Sequence, residues 1–184
     1  MSIQNMQSET EIKIQMPEET TKRVRLRALE VSDVELLYAV ENDSSHWAVT
    51  DTVAPYSRDL LLQYALSYSA DPFTEGQLRL VIEDVEEGEP IGIFDLFEVS
   101  MLHRRAVIGI YILPSWRGRG LAVESVKAGM NYCRHSLRLK NLLAHVLVGE
   151  EISFSVFRRC GFMHAGTLKN WHRERDVMLL QKTL

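Results

Sequence analysis

Cysteine is scarce in this chain. Its 184 residues hold two, Cys133 and Cys160, too few for a disulfide framework and not spaced as a zinc site requires. A reducing compartment, the cytoplasm, is the expectation that follows. No apolar run approaches the ~20 residues that span a bilayer. The first residues show no basic stretch followed by an apolar core, so neither a membrane span nor a secretory leader is expected. No pair among the six histidines has ligand spacing, so no metal is expected. Positive charge is also in deficit, with 21 Lys and Arg against 25 Asp and Glu and a formal net charge of −4. That balance argues against a nucleic-acid partner and is compatible with cationic substrates. The remaining composition, 46% hydrophobic and 25% charged, is that of an ordinary soluble protein large enough to bury a core without staples.

Both common nucleotide motifs are missing as well. A dinucleotide fingerprint needs a third glycine at position 123, which is Val, and a P-loop needs Lys and Ser or Thr after Gly120, where Leu121 and Ala122 stand. The stretch Arg117-Gly118-Arg119-Gly120-Leu121-Ala122 is nonetheless the most informative in the chain. It follows an apolar run, 106–113, that reads as a buried strand. It precedes the run 121–137, where Val123, Val126, Met130, Cys133 and Leu137 step by three and four as one helix face does. A helix start offers N–H groups without intrahelical partners and a partial positive charge. Glycine lets an anion approach the backbone, and arginine supplies forks that match phosphate oxygens. A pyrophosphate-bearing ligand is the natural reading.

The rest of the chain reads as alternating elements. Residues 1–21 are polar and acid-rich, a flexible extension in which Ile12, Ile14 and Met16 alternate and could add an edge strand. Residues 22–184 then form a single domain. Strands are expected over 24–28, 78–85, 91–99, 103–113, 142–148 and 176–182. Ser32, with Glu35 in the capping-box position, starts a helix of about a dozen residues. Ser57 caps a second helix to about residue 69 after a polar and aromatic loop, 41–56, that holds His46 and Trp47. A short late helix covers 151–160.

Arg-x-x-Gly-x-Ala in this strand–loop–helix setting resembles the acetyl-CoA pyrophosphate loop of the GNAT superfamily of N-acetyltransferases. The resemblance runs from about residue 24 to the end. Arg25-Leu26-Arg27-Ala28-Leu29-Glu30 with Asp33 resembles the opening of the subgroup that acetylates ribosomal-protein N-termini and polyamines. Ile91-Gly92-Ile93-Phe94-Asp95 and His103-Arg104-Arg105-Ala106 resemble its central hairpin, that of spermidine acetyltransferases included. Ser153 and Phe157-Arg158-Arg159-Cys160-Gly161-Phe162 resemble its late helix and the step into the next strand. The resemblance implies an α/β fold, a mixed and mostly antiparallel sheet of six to seven strands with helices on both faces and a splayed central strand pair. It implies acetyl-CoA as acyl donor, held by the loop, by main-chain groups of Ile110, Tyr111 and Ile112, and by Ser153 and Phe157. It implies transfer to a primary amine on a polyamine-like molecule or a protein N-terminus, and it admits a homodimer.

Three positions depart from that pattern. Val107 stands where spermidine-type members carry Glu, Glu150 where many carry Asn, and Phe157 where a Tyr is thought to protonate the departing thiolate. Ser153 and Phe157 share a helix face, so restoring the hydroxyl at 157 is expected to raise turnover. With Glu absent at 107, Asp95 and Glu98 are the candidates for a base or for gripping an ammonium group. Three readings stay open: an N-acetyltransferase, a non-catalytic acyl-CoA-binding protein, and an interaction module that has lost CoA.

Overall fold

The computed structural model describes Thr21 and residues 23–184; the edge strand considered over Ile12, Ile14 and Met16 lies outside the described residues. Seven strands, β1 (Val24–Ala28), β2 (Leu78–Asp84), β3 (Pro90–Ser100), β4 (Arg105–Ile112), β5 (Asn141–Leu147), β6 (Met163–His172) and β7 (Arg175–Thr183), form one sheet in the order β1-β2-β3-β4-β5-β7-β6. Neighbours are antiparallel except β4 and β5. The mixed, mostly antiparallel sheet expected from the sequence is therefore present. Among the described residues no helix is long and apolar enough to cross a membrane.

Helices cover both faces. On one side lie α1 (Val34–Glu41), the single turn α2 (Ser44–Trp47) and α3 (Arg58–Ser67); α4 (Pro72–Glu75) leads into β2. Leu36, Leu37, Val40 and Leu61 there bury against Val81, Ile93 and Tyr111. On the other side α5 (Leu121–His135) and α6 (Glu151–Arg159) close over Ile82, Phe94, Ile108 and Leu142. Alternation along the strands explains the partition: Val81 and Ile93 face α1, while their neighbours Ile82 and Phe94 face α5.

Local chemistry sets the helix starts. Ser57 Oγ accepts from Leu60 N–H at 3.2 Å, as a cap for α3 should. The cap expected at Ser32 is not used. Asp33, gripped by both arms of Arg27 at 2.8 and 2.7 Å, accepts instead from Glu30 N–H at 2.8 Å, and the α-helix that follows has only eight residues. The loop expected over 41–56 contains α2, whose Asp43 cap accepts from Ser45 N–H. The exposed strand β6 was not legible as a pattern, because its side chains show no alternation between core and solvent.

Candidate active site

β4 and β5 are registered only at Arg105–Asn141, Ala106–Leu142 and Val107–Leu143. Beyond Val107 the two strands part, which leaves one edge of β4 open. Leu113 N–H donates to Ile91 O at 2.9 Å on the other side, and strand alternation then turns the main chain of Tyr111 toward β3 and that of Ile110 and Ile112 into the gap. The expected main-chain trio is thus corrected to a pair, since the peptide groups of Tyr111 face its partner strand. Arg117 Nε donates to Ile112 O at 2.8 Å, so the groups left at the edge are those of Ile110 and the N–H of Ile112.

The loop closes this gap at its wide end. A 3-10 turn, Pro114–Trp116, stops β4, and Gly118 and Gly120 take φ of 77° and 79° in the left-handed region. Gly120 caps α5 with no side chain bonded to it, and the first loop-closing bond runs from Val123 N–H to Gly120 O at 3.2 Å. The N–H groups between Gly118 and Ala122 therefore face outward at a helix start, the arrangement an anion needs. The two arginines behave differently. Arg119 stacks over Trp116 at 4.7 Å and donates to Ser115 O. Arg117 turns inward, over the Tyr111 ring at 5.2 Å and 3.7 Å from Asp43, so it ties the loop to the wall of the site.

That wall lies on the α1 and α3 side. Tyr111 Oη donates to Asp43 Oδ2 at 2.6 Å, and the His46 ring packs edge-on against Tyr111 with centroids 4.6 Å apart. Hydrogen bonds from Ser45 and Tyr111, with Arg117 nearby, hold the Asp43 carboxyl down to about 2. Burial pushes His46 below its ordinary value, against the opposing pull of Glu41 and Asp43. Burial and the Asp43 carboxylate raise Tyr111 well above the usual phenol range. Beside them Arg79 on β2 forms a two-pronged pair with Asp95 on β3, Nε to Oδ1 at 2.8 Å and Nη2 to Oδ2 at 3.0 Å, and its Nη1 reaches Glu41 at 2.6 Å. These side chains are 17–19% exposed. Burial alone would lower the Arg79 pKa, but the two carboxylates hold it above its ordinary value. Tyr64, under Arg79, is pushed up to about 12 by burial.

The two acidic candidates read from the sequence are not brought together. Asp95 is fully engaged by Arg79. Glu98 sits where the β3–β4 register slips, at φ 48°, exposed beside a cavity of about 170 Å³ at the closed root of β4 and β5. Phe157 is 3% exposed and packs edge-on against Phe162 at 5.2 Å, while Ser153 on the same helix is partly exposed. Among the described residues no cluster of three His, Cys, Asp or Glu could hold a metal ion. Sequence reading passed over Arg79, Glu41 and Asp43. Arg79 did leave a trace: a lone cation inside the apolar run Leu78–Ile82 must find a buried partner.

Residues 23–163 match the family described as the Acetyltransferase (GNAT) domain. The spermidine N(1)-acetyltransferase of Escherichia coli K12 is 30% identical over 148 residues, 79% of this chain and 75% of that protein. The putative ribosomal N-acetyltransferase YdaF of Bacillus subtilis is 26% identical over 134 residues, 73% of this chain and 66% of that one. Among solved structures, the spermidine N-acetyltransferase of Vibrio cholerae in complex with CoA and spermine has a TM-score of 0.76 and 26% identity, over 89% of this chain and 96% of that one. Its dodecameric form gives a TM-score of 0.70 at 25% identity, over 89% and 95%. With the splayed strands, the open edge of β4 and the bare amides at the start of α5, these likenesses show that the chain belongs to the GNAT family and is an acetyl-CoA-dependent N-acetyltransferase.

Proposed function

We propose that the amine acetylated by this enzyme belongs to a polyamine, and that the transfer takes place in the cytoplasm. One observation carries the reading: three carboxylates, Glu41, Asp43 and Asp95, gather on the acceptor side with two guanidinium groups, Arg79 and Arg117. The wall keeps one negative charge in excess, in a half-buried setting where charge acts strongly. Asp95 attracts an ammonium group through its field, since both its oxygens already hold Arg79, and Glu41 adds to that field while paired with Arg79 through one oxygen. CoA lies along Ile110 and Ile112, with its pyrophosphate on residues 117–122 and Ser153 and Phe157 toward its thiol end. The relatives that act on spermidine, and the Vibrio cholerae structure with bound CoA and spermine, support both halves of the reading. The dodecameric relative supports an oligomer, of which a dimer would be the smallest unit.

The test is release of free CoA from acetyl-CoA with spermidine, spermine, single amino acids and N-terminal peptides offered in parallel. Turnover of the polyamines at well above the rate for the peptides is expected. Turnover confined to the peptides would overturn the polyamine reading and leave the acetyltransferase assignment standing.

A further inference from the structure

We infer that His46 is the general base of the transfer, the group that takes the proton from the acceptor amine. The inference deepens the reading above and rests on it for the side from which the amine enters.

Every carboxylate on the acceptor wall is already engaged. Both oxygens of Asp95 accept from Arg79, and Glu41 Oε1 accepts from the same guanidinium. Asp43 Oδ1 accepts from Ser45 N–H at 2.9 Å and Ser45 Oγ at 2.6 Å, and its Oδ2 accepts from Tyr111 Oη. The donors on Asp43 hold it in its charged form, which makes it a poor proton acceptor, while Asp95 and Glu41 are tied to Arg79. Glu98 stands exposed within the register slip, at the closed root of the strand pair. Tyr111 Oη donates a hydrogen bond to Asp43 and keeps its proton, because burial and the Asp43 carboxylate raise it above the usual phenol range.

His46 is differently placed. It is the third residue of α2, and its ring lies against Tyr111 at 66°, on the acceptor face of the strand whose open edge Ile110 and Ile112 provide. Its imidazole nitrogens have no hydrogen-bond partner among the described residues, and the residue is only partly buried, so a nitrogen can be reached from the site. The groups that face it are Glu41 from α1, Asp43 from the cap of α2, Asp95 from β3, Tyr111 from β4 and Arg117 from the loop. Burial outweighs the attraction of those carboxylates for a proton and keeps the ring neutral at neutral pH, the state a base requires.

The step balances without another reagent. The acceptor ammonium loses one proton to solvent as it enters. The amine nitrogen then bonds to the thioester carbonyl carbon while His46 takes its second proton. When the carbon–sulfur bond breaks, the imidazolium returns that proton to the sulfur. The products are the N-acetyl amine and the CoA thiol, with His46 neutral again. A returning proton from His46 also answers the absence of a hydroxyl at Phe157.

The variant is His46→Gln, which keeps a polar side chain of similar reach. On the best amine of the panel its kcat should fall by ~10²-fold or more, the range for a positioned base, with CoA affinity unchanged by calorimetry. Below the ordinary histidine value the wild-type profile of kcat/KM should steepen beyond the slope that the amine's own ionisation imposes, and the variant should lack that extra limb. A fall under ~3-fold, or an extra limb that persists in His46→Gln, would overturn the proposal. If spermidine is inert and a peptide amine reacts, the polyamine reading falls while the His46 test proceeds on the peptide. A measurement independent of turnover is the ring signal of His46 in labelled protein, identified by its loss in the variant. It should titrate below the ordinary histidine value and move when the amine joins the CoA complex. A signal unmoved by the amine would place His46 outside the site.

Discussion

Replacing Gly120 by Ala separates what the loop needs for folding from what it needs for its ligand. Gly120 lies at φ 79° and ψ 2°, a conformation that costs a residue with a Cβ roughly 1–2 kcal/mol. A Cβ built there meets no atom within 4 Å, so no steric term is added and the loss of stability should stay in that range. For a chain of this size it corresponds to a fall in Tm of about 2–8 °C. The control is Gly76→Ala, because Gly76 caps α4 at φ 69° and ψ 5°, also with nothing within 4 Å of a built Cβ. Gly76 hydrogen-bonds Val99, at the far end of β3 from the strand pair Gly92–Ile112 that borders the loop. The two variants should lose similar stability.

Their CoA affinities should differ. At Gly120 the methyl group stands at the helix start, and any relaxation out of the left-handed region swings the amides of residues 118–122 away from a shared anion. Losing one charge-assisted bond costs about 1.5–3 kcal/mol, which is roughly a 10- to 100-fold weaker Kd. Calorimetric titration with CoA and a thermal melt of the free proteins measure both quantities. The reasoning fails if Gly120→Ala melts like Gly76→Ala yet binds CoA as tightly as the wild type. In that case the glycine serves the turn alone and the pyrophosphate lies elsewhere.

Gly129→Ala should destabilise the protein by up to ~2 kcal/mol in urea unfolding: the gain of ~1 kcal/mol in helix propensity is outweighed by overpacking of ~1–3 kcal/mol, because the new Cβ would stand 2.2 Å from Phe94 Cε2 and Cζ. Asp43→Asn tests the acid limb of stability. The folded carboxyl sits at about 2 and the unfolded one near 3.8, so its stabilising contribution is complete above 3.8 and lost as pH falls through about 2. The stability gap between wild type and variant should therefore close over that window and stay constant above it. Phe157→Tyr should lower the melting temperature of the free protein, since a hydroxyl without a partner in that core costs ~1–3 kcal/mol; kcat should change little while His46 returns the proton to the sulfur, and a rise of ~10²-fold would show instead that the thiolate lacks a proton source.

The sheet and the loop were legible because their signals are local. Val123, Val126 and Cys133 step with the helical period and are buried, and strands β2 to β5 match the expected apolar runs to within two residues at each end. Gly118 and Gly120 declared a tight turn before a helix. The acceptor wall was not legible in the same way. Arg79, Asp95 and Glu41 meet from two strands and a helix, at sequence separations of 16 and 38, and nothing near any one of them in sequence names the others. The Asp95 motif was visible, but its meaning changed once Arg79 was found across the strand pair. A carboxylate that looks free in a sequence is free only if no cation lies opposite it in the sheet register, and here Arg79 is registered with Asp95. Glu98 was harder to place for a related reason: one residue past the last regular pair, Phe97 with Val107, it falls where the strand slips register, so spacing along the sequence no longer fixed the face.

The division of labour in the wall follows from how its charges are paired. Two carboxylates around one guanidinium leave a net negative field, with both oxygens of Asp95 and one of Glu41 taken up by Arg79, so on the proposed reading an incoming ammonium is attracted without having to break an ion pair. Breaking the pair would strand Arg79 with one partner in a half-buried site, which costs several kcal/mol. Attraction through a field is long-ranged and indifferent to which nitrogen of a flexible polycation arrives first. It is also screened by salt, unlike a bidentate contact. Proton removal has the opposite requirements, namely short range, an unengaged lone pair and a neutral resting state. With His46 as the proposed base, the two tasks fall to different side chains: Glu41 and Asp95 are paired with Arg79, while His46 stands against Tyr111 with its nitrogens unengaged among the described residues.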